Sequence, residues 1–578
     1  MNTAQPSEQR QIPSRNTLVG AALAVGVILA CAAVPRRLLT LSQGITPEDT
    51  PAAGLSGGHL GPAVEAGSTA TARFTEHLWR AFDTERAERT LVFADGYYRE
   101  PGNVGFEAVL DHLASKLRAA GYGETAGLEL EFIVGEEPVS AWTPRSASLA
   151  RVNADGSEEL LLGFKERGDE YRAMLPANAP SADVSGPAVF SLSEVSEGTI
   201  LVTDASLRQV LRRAQKRDAA AVLSCSLESF NTDPSGQRRH MRAVQYTSVR
   251  EGTKTPVAQV TPGLVEGLRR ADAAGQSPIL HLVAEVHIEE RPLRTLRAAV
   301  RGAESPNEAV VIASHVQEPG ACDNASGVAG LLEGARNLAE LIQSGELATP
   351  RRSLVFLWGD EFRQSEAWLE ATERRAVGAI SSDMTGQSKE KTGAIALLER
   401  TPDPGALVPL PPDEHTPWGA GAVDAEDLSP NGLAIMARCA MADVARAAGS
   451  WETAEHPWEG GSDHDVFLER GIPALLIWHF TDFAYHTSLD RLSHVDLQEM
   501  RRTGVAIMAT GLALADPRPE DLERYLKTLD LERNLRVAAA VEQEDADTAA
   551  AWRAWSTGAR HWLRAHCLNL NPPTRGTK

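Results

Sequence analysis

A chain of 578 residues is too long for one ordinary hydrophobic core, so two or more domains are expected. Hydrophobic residues at 43% exclude wholesale disorder, and 57 Lys and Arg against 78 Asp and Glu leave a net charge of −21. That charge excludes electrostatic capture of nucleic acid or of an anionic lipid surface. Near the start, Arg10 and Arg15 precede Thr17–Val34, an uncharged run of small and aliphatic residues. This reads as a signal or anchor segment at the short limit for spanning a bilayer. Ala30-Cys31-Ala32 resembles a cleavage site, and Ile28-Leu29-Ala30-Cys31 a loose lipobox that would put a lipid on Cys31. All three versions export the remainder, giving an extracytoplasmic protein that is membrane-tethered or secreted. Residues 42–67, rich in Gly, Pro, Ser and Ala, read as a flexible stalk.

From Thr71 the pattern becomes globular. Val109, Leu110, Leu113 and Leu117 stand at helical spacing, and Gly121 follows as a stop signal. Between Gly186 and Glu285, strand-like Thr199–Val202, helical Leu207–Arg217, strand-like Ala221–Leu223, strand-like Pro256–Ala258 and helical Leu264–Ala271 alternate. This succession resembles a protease-associated domain. Beyond Val286 four short apolar runs, Ala309–Ala313, Ser353–Leu357, Ala376–Ile380 and Ala474–Trp478, alternate with helical stretches. Such alternation predicts a largely parallel sheet covered by helices. The helical stretches Glu520–Val541 and Thr548–Cys567 carry no motif and read as a packing or oligomer surface. The five cysteines are far apart and form no CxxC pair, which implies a mostly reduced fold.

Each of the four apolar runs is followed within a few residues by a polar, potentially metal-binding side chain. They deliver His315, Asp360 with Glu361, Asp383, and Tyr485 with His486 to one sheet edge, where open α/β sheets bind ligands. Ser314-His315 also leads to Gly320-Ala321-Cys322-Asp323-Asn324-Ala325-Ser326-Gly327, a Gly-flanked turn opening a helix over Val328–Leu341. A carboxylate there gains from the helix dipole. With Asp360 left over, the two histidines and three carboxylates make a mixed N/O set that suits zinc, with cobalt or manganese as substitutes.

The segments Ala313–Gly327, Phe356–Glu361, Ser382–Gly386, Gly461–Phe467 and Tyr485–Asp490 resemble, in content and in order, the M28 family of co-catalytic zinc peptidases. The resemblance implies an α/β/α sandwich with a mostly parallel central sheet and a small inserted protease-associated domain, to which the residues Thr17–Val34 add an N-terminal hydrophobic anchor. It implies two Zn2+ per chain, with His315 and Asp383 on one ion, Glu361 and His486 on the other, and Asp323 bridging them. Asp360 would be the general base and Tyr485 would help hold the oxyanion. The activity implied is exopeptidase hydrolysis of a peptide or protein substrate, as an aminopeptidase, through a metal-bridged hydroxide. The corresponding division is 1–40 signal or anchor, 41–70 linker, 71–185 first part of the peptidase domain, 186–285 protease-associated insert, 286–518 zinc peptidase domain and 519–578 helical extension.

Two positions depart from the family pattern. Gln317 stands where an Asp usually orients the first His ligand, and Asp360 stands where the base is usually Glu. The first replaces a charged orienting group by a neutral one, and the second draws the base back by about 1 Å. Ser462-Asp463-His464 is expected to support the site without ligating, and His456, His479 and His494 to be solvated or structural. Arg99–Gly102 resembles a family segment near the pocket, and the Pro-rich stretch Thr401–Pro430 reads as a long loop at its rim. Two other classes stay open: a non-catalytic receptor on the same fold, and a single-zinc cyclase of N-terminal glutamine.

Overall fold

A computed structural model describes residues 69–165, 169–408 and 423–568. The segment Thr17–Val34, Cys31 and the stalk lie outside the described residues, as does 409–422 of the Pro-rich loop. Among the described residues, no helix is long and apolar enough to cross a membrane.

Helices α1 (Ala72–Ala81), α2 (Thr84–Asp95) and α3 (Val104–Ala119) lead into a long antiparallel ribbon. Strand β1 (Leu128–Val152) turns into β2 (Glu158–Phe164), and β1 pairs along most of its length with β7 (Ile279–Val300). Between them lie β3 (Ala182–Val189), β4 (Ile200–Thr203), α4 (Leu207–Gln215), β5 (Ala221–Ser224), β6 (Val257–Gln259) and α5 (Pro262–Ala273). The two helices and three strands read from residues 199–271 therefore form where expected, and β3 to β6 pair in parallel in chain order. They share a core of their own, built on Ile200, Val202, Val222, Leu223, Val257 and Val265.

The four apolar runs become β8 (Ser305–His315), β9 (Arg352–Gly359), β10 (Arg375–Ser382) and β13 (Ala474–Phe480). They are separated by α6 (Ala325–Gln343), α7 (Arg363–Ala371), the short α8 (Lys389–Thr392), β11 (Ile395–Glu399), α9 (Leu433–Ala448), β12 (Thr453–His456) and α10 (His464–Glu469). Thirteen strands join in one sheet, whose centre runs β13-β10-β8-β9 with every neighbour parallel. The sheet is mixed, however. β7 joins β9 antiparallel on one side and β11 joins β13 antiparallel on the other.

The central strands are apolar at every position because both faces are covered. Val310 and Ile312 point to the face covered by α6 and by α11 (Leu497–Ala515), while Ala309, Val311 and Ala313 pack with Trp368 of α7 and Phe467 of α10. Full burial of each large side chain is worth roughly 1.5–3 kcal/mol. Helices α12 (Leu522–Glu542) and α13 (Ala546–Cys567) close the described chain. The extension is integral to the core, since Tyr525, Leu529 and Leu563 join the main cluster and buried Glu532 receives Arg400 at 2.6 Å. Cys225, Cys322, Cys439 and Cys567 are buried free thiols.

Candidate active site

The carboxyl ends of the parallel strands carry the polar residues. His315 ends β8 with 1% of its surface exposed, and Asp383 follows β10 directly. His315 Nε2 lies 3.1 Å from Asp383 Oδ1 and 3.6 Å from Asp323 Oδ1. The other oxygen of Asp323, Oδ2, lies 3.0 Å from His486 Nε2, which also stands 2.9 Å from Glu318 Oε2. Two donor groups thus share one carboxylate: His315, Asp323 and Asp383 on one side, Glu318, Asp323 and His486 on the other.

Asp323 is held by its turn. Asp490 accepts the backbone N–H of Cys322 at 2.7 Å and of Asp323 at 2.9 Å. Gly320 is required beside it, since a Cβ there would meet Asp490 Oδ2 at 2.0 Å. Asn324 caps α6 through the N–H of Gly327, and its side-chain amide donates to Ser314 Oγ and to the carbonyls of His315 and Ser382. One residue therefore ties the helix start to the ends of β8 and β10.

The residues between His315 and Asp323 are fixed by Arg99. Its buried guanidinium donates to the carbonyls of Val316 at 2.8 Å and Gly320 at 2.7 Å, which gives the Arg99–Gly102 segment a structural task. The imidazole of His315 faces the backbone carbonyl of Gln317 through Nδ1 at 3.3 Å, an arrangement that sets the tautomer and leaves Nε2 for a ligand. The Gln317 side chain turns elsewhere. Its carbonyl accepts the N–H of Glu361 at 2.7 Å, and its amide reaches Glu361 Oε2 at 3.5 Å.

Glu361 therefore stands outside both donor groups, and Glu318 occupies the position beside His486 that the family pattern implies for Glu361. Asp360 is buried, and Arg363 approaches its Oδ2 at 3.3 Å. Burial first, then Asp463 and Glu318, push its pKa up to about 7 against the pull of Arg363 and His315. Tyr485 stacks on His486 with ring centroids 3.8 Å apart. Burial and then the carboxylates of Asp323, Glu318, Asp383 and Glu361 raise its pKa well above that of an ordinary phenol. Ser462 donates to Asp383 Oδ2 at 3.0 Å, and Asp463 accepts from Phe362 N, Gln364 and Ser365 at the start of α7. His479 bridges Met384 O and Glu499, and Phe483 packs against the ring of His494.

Three contributors have no sequence motif: Glu318, Gln245 and Tyr246. Gln245 Nε2 and the N–H of Tyr246 both donate to the carbonyl of His486, at 2.8 and 2.7 Å. Glu318 and His486 themselves carry φ of +81° and +55°. Such conformations cost an L residue about 1–3 kcal/mol and persist only where the surroundings hold them.

The donor set fits divalent metal. Burial works against a charged His315, yet Asp383, Glu361 and Asp323 together hold its pKa well above that of free histidine; Glu318 and Asp323 do the same for His486. Burial and then Glu318 raise Asp323 well above the usual carboxylate range, and burial raises Glu361 likewise. Asp383 Oδ1 is a buried oxygen that accepts no hydrogen bond. Crowding of carboxylates around two imidazoles is relieved by cations, which favour the deprotonated form of every donor.

Residues 296–511 match the Peptidase family M28 profile. A probable glutamate carboxypeptidase of Zea mays is 25% identical, covering 76% of this chain and 68% of its own length. Transferrin receptor protein 2 of Rattus norvegicus is 37% identical over a stretch covering 17% of this chain and 12% of the receptor. A peptidase M28 precursor from Shewanella amazonensis shares the fold with a TM-score of 0.52 at 15% identity, covering 77% of this chain and 96% of that one. Residues 296–511 are thus those of a peptidase family M28 domain, and the chain is a metallopeptidase.

Proposed function

We propose that the protein is a di-zinc exopeptidase, acting first as an aminopeptidase, with Asp323 bridging the two ions. The observation that carries this is the Asp323 carboxylate, which turns one oxygen to His315 and the other to His486. A single-metal cyclase has no use for that division. His315 and Asp383 would hold one ion; His486 would hold the other together with Glu361 or its neighbour in space, Glu318. Bound zinc supplies Lewis acidity, lowering the pKa of water and polarising a carbonyl.

The chain's own residues do the rest. Asp360, with a pKa near neutrality, accepts the proton of the attacking water and returns it to the leaving amine. Arg363, an exposed side chain, pairs with it from the solvent side. Tyr485, kept protonated by its surroundings, donates to the oxygen that becomes negative in the transition state. Gln245 and Tyr246 hold the His486 loop, so the β3–β6 region serves the site as a protease-associated insert spanning about residues 186–285. The N-terminal run Thr17–Val34, or a lipid on Cys31, would tether the enzyme outside the cytoplasm, with residues 519–568 of the extension packed on the peptidase domain.

The test is elemental analysis of purified protein beside a panel of aminoacyl substrates and N-blocked peptides. Two zinc ions at Asp323 and cleavage from the free amino end are expected. Cleavage only of N-blocked peptides would reassign the exopeptidase to the carboxyl end. Folded, zinc-loaded protein that cleaves neither would favour the receptor reading, which the stretch shared with transferrin receptor protein 2 supports.

A further inference from the structure

A second gathering of donors stands at the ends of β11 and β12. Glu399 ends β11 with a fully buried side chain, His456 ends β12, and Glu459 follows three residues later. One ligand atom from each lies within 4.8 Å of the others. Glu399 Oε1 is well supplied. It accepts the N–H groups of Glu459 at 3.1 Å and Gly460 at 2.8 Å, and His464 Nε2 lies 2.9 Å away. Glu399 Oε2 accepts no hydrogen bond and faces His456 Nε2 at 3.8 Å. Glu459 Oε2 is likewise buried and bare, while Glu459 Oε1 lies 3.4 Å from His456 Nδ1.

A network of side chains alone does not satisfy these atoms. The indole N–H of Trp478 donates to His456 Nε2 at 3.0 Å, which leaves the ring proton on Nδ1 and no donor for Glu399 Oε2. Three carboxylates, Glu399, Glu459 and Asp465, face the two imidazoles, with Asp465 Oδ1 at 3.5 Å from His464 Nε2. Two bare carboxylate oxygens converging beside an imidazole call for a cation. We infer that Glu399, His456 and Glu459 form a third metal site, separate from the pair at Asp323, for a borderline-soft divalent cation such as zinc. His464 orients Glu399, as a carboxylate partner commonly orients a ligand from behind. His456 gives up the Trp478 bond when it ligates through Nε2.

The position suggests the task. Residues 459–465 carry two glycines at φ of +77° and +112°, and the same turn presents Ser462 to Asp383 and Asp463 to the start of α7. An ion at Glu459 stiffens the turn that orients Asp383.

Elemental analysis of the full chain, purified without chelator, tests the inference. Three zinc equivalents are expected in the wild type and two in Glu399→Gln and Glu459→Gln. Asp323→Asn should keep the ion that Glu459→Gln loses. Should Glu399→Gln fail to fold by circular dichroism, Glu459→Gln decides alone. A second reading uses the Asp323→Asn protein, whose thermal midpoint should rise with added zinc only while Glu459 is present. Equal metal content in wild type and Glu459→Gln overturns the third site and leaves the Asp323 pair untouched. A wild type whose only ion disappears in Glu459→Gln retains the third site and removes the pair.

Discussion

His315 and Asp383 stand on the ends of neighbouring parallel strands, buried in the sheet edge, with Ser462 and Asn324 bracing them from two sides. Glu318 and His486 stand on loops, both at positive φ, and His486 keeps its place through Gln245 and Tyr246 from a distant part of the chain. One half of the site is therefore built by the sheet and the other by contacts among loops. The lesson is about tolerance. A strand-end ligand is positioned by the same burial that folds the protein, whereas a loop position leaves room for a neighbour, and Glu318 stands beside His486 where the family pattern implies Glu361. Replacements that touch both halves should cost most, and those confined to the loop half should be graded.

Asp323 is the one residue common to both halves, so Asp323→Asn should have the largest effect. Loss of the ions at both halves and a fall in turnover on the order of 10³-fold or more are expected, since water activation and oxyanion stabilisation fail together. Elemental analysis with initial rates checks this. Retention of both ions would break the division into halves joined at one carboxylate. Asp360→Asn comes next. It should lower turnover by roughly 10²–10⁴-fold while leaving metal content intact, because Asp360 is the proposed proton acceptor and lies in neither donor group. Asp360→Glu asks whether the shorter acid suits this pocket. Faster turnover in the Glu variant would mean that Asp is a compromise, and slower turnover that the pocket is fitted to it.

The loop half then discriminates between two carboxylates. Glu318→Gln and Glu361→Gln should differ in zinc affinity, the true ligand losing one equivalent and its neighbour losing on the order of 10-fold in affinity. Chelator competition on each variant gives the ranking. Equal loss in both would mean that the pair acts as one unit, which sharpens the contrast with the strand-built half.

Much of the strand-built half was legible in the sequence, because a short apolar run ended by His, Asp or Glu already describes a strand buried on both faces with a polar end. The DNASG turn was legible too, since glycines flank an acid at a helix start. The loop half was only partly so. Val316-Gln317-Glu318-Pro319 reads as an ordinary loop, and the meeting of Glu318 with His486 joins residues 168 positions apart. The β1–β7 ribbon also escaped notice. Gly135, Pro138 and Pro144 interrupt β1 and its register shifts near them, while alternating charges in β7 hide the strand among surface-like residues. The sheet is also more mixed than its central runs implied, because β7 and β11 flank those runs antiparallel. Arg99 had a familiar segment but no readable task, because its partners are backbone carbonyls that no side-chain pattern reveals.

The smallest effect concerns Gln317, where restoring the family's Asp is expected to harm. In the usual arrangement a carboxylate two residues after the first His orients that imidazole. In this chain the imidazole of His315 faces the Gln317 backbone carbonyl, a contact that any side chain at 317 preserves. The Gln317 side chain instead steadies Glu361, accepting its N–H and offering an amide toward its carboxylate. An Asp at 317 cannot donate. It would set a second negative charge close to Glu361, in a buried site already crowded with acids, and like charges at that range repel strongly where water is scarce. Gln317→Asp should therefore weaken binding of one ion by about 10-fold, at the lower end of what orienting residues usually contribute, and reduce turnover in proportion. The loss should recover when zinc is supplied in excess, since the catalytic groups are unchanged. Gln317→Ala serves as the companion, removing the steadying amide without adding charge and costing less than Asp. Should Gln317→Asp bind zinc more tightly or turn over faster than the wild type, the His315 imidazole would be shown to want a charged partner, and the strand-built half would be less self-sufficient than its burial implies.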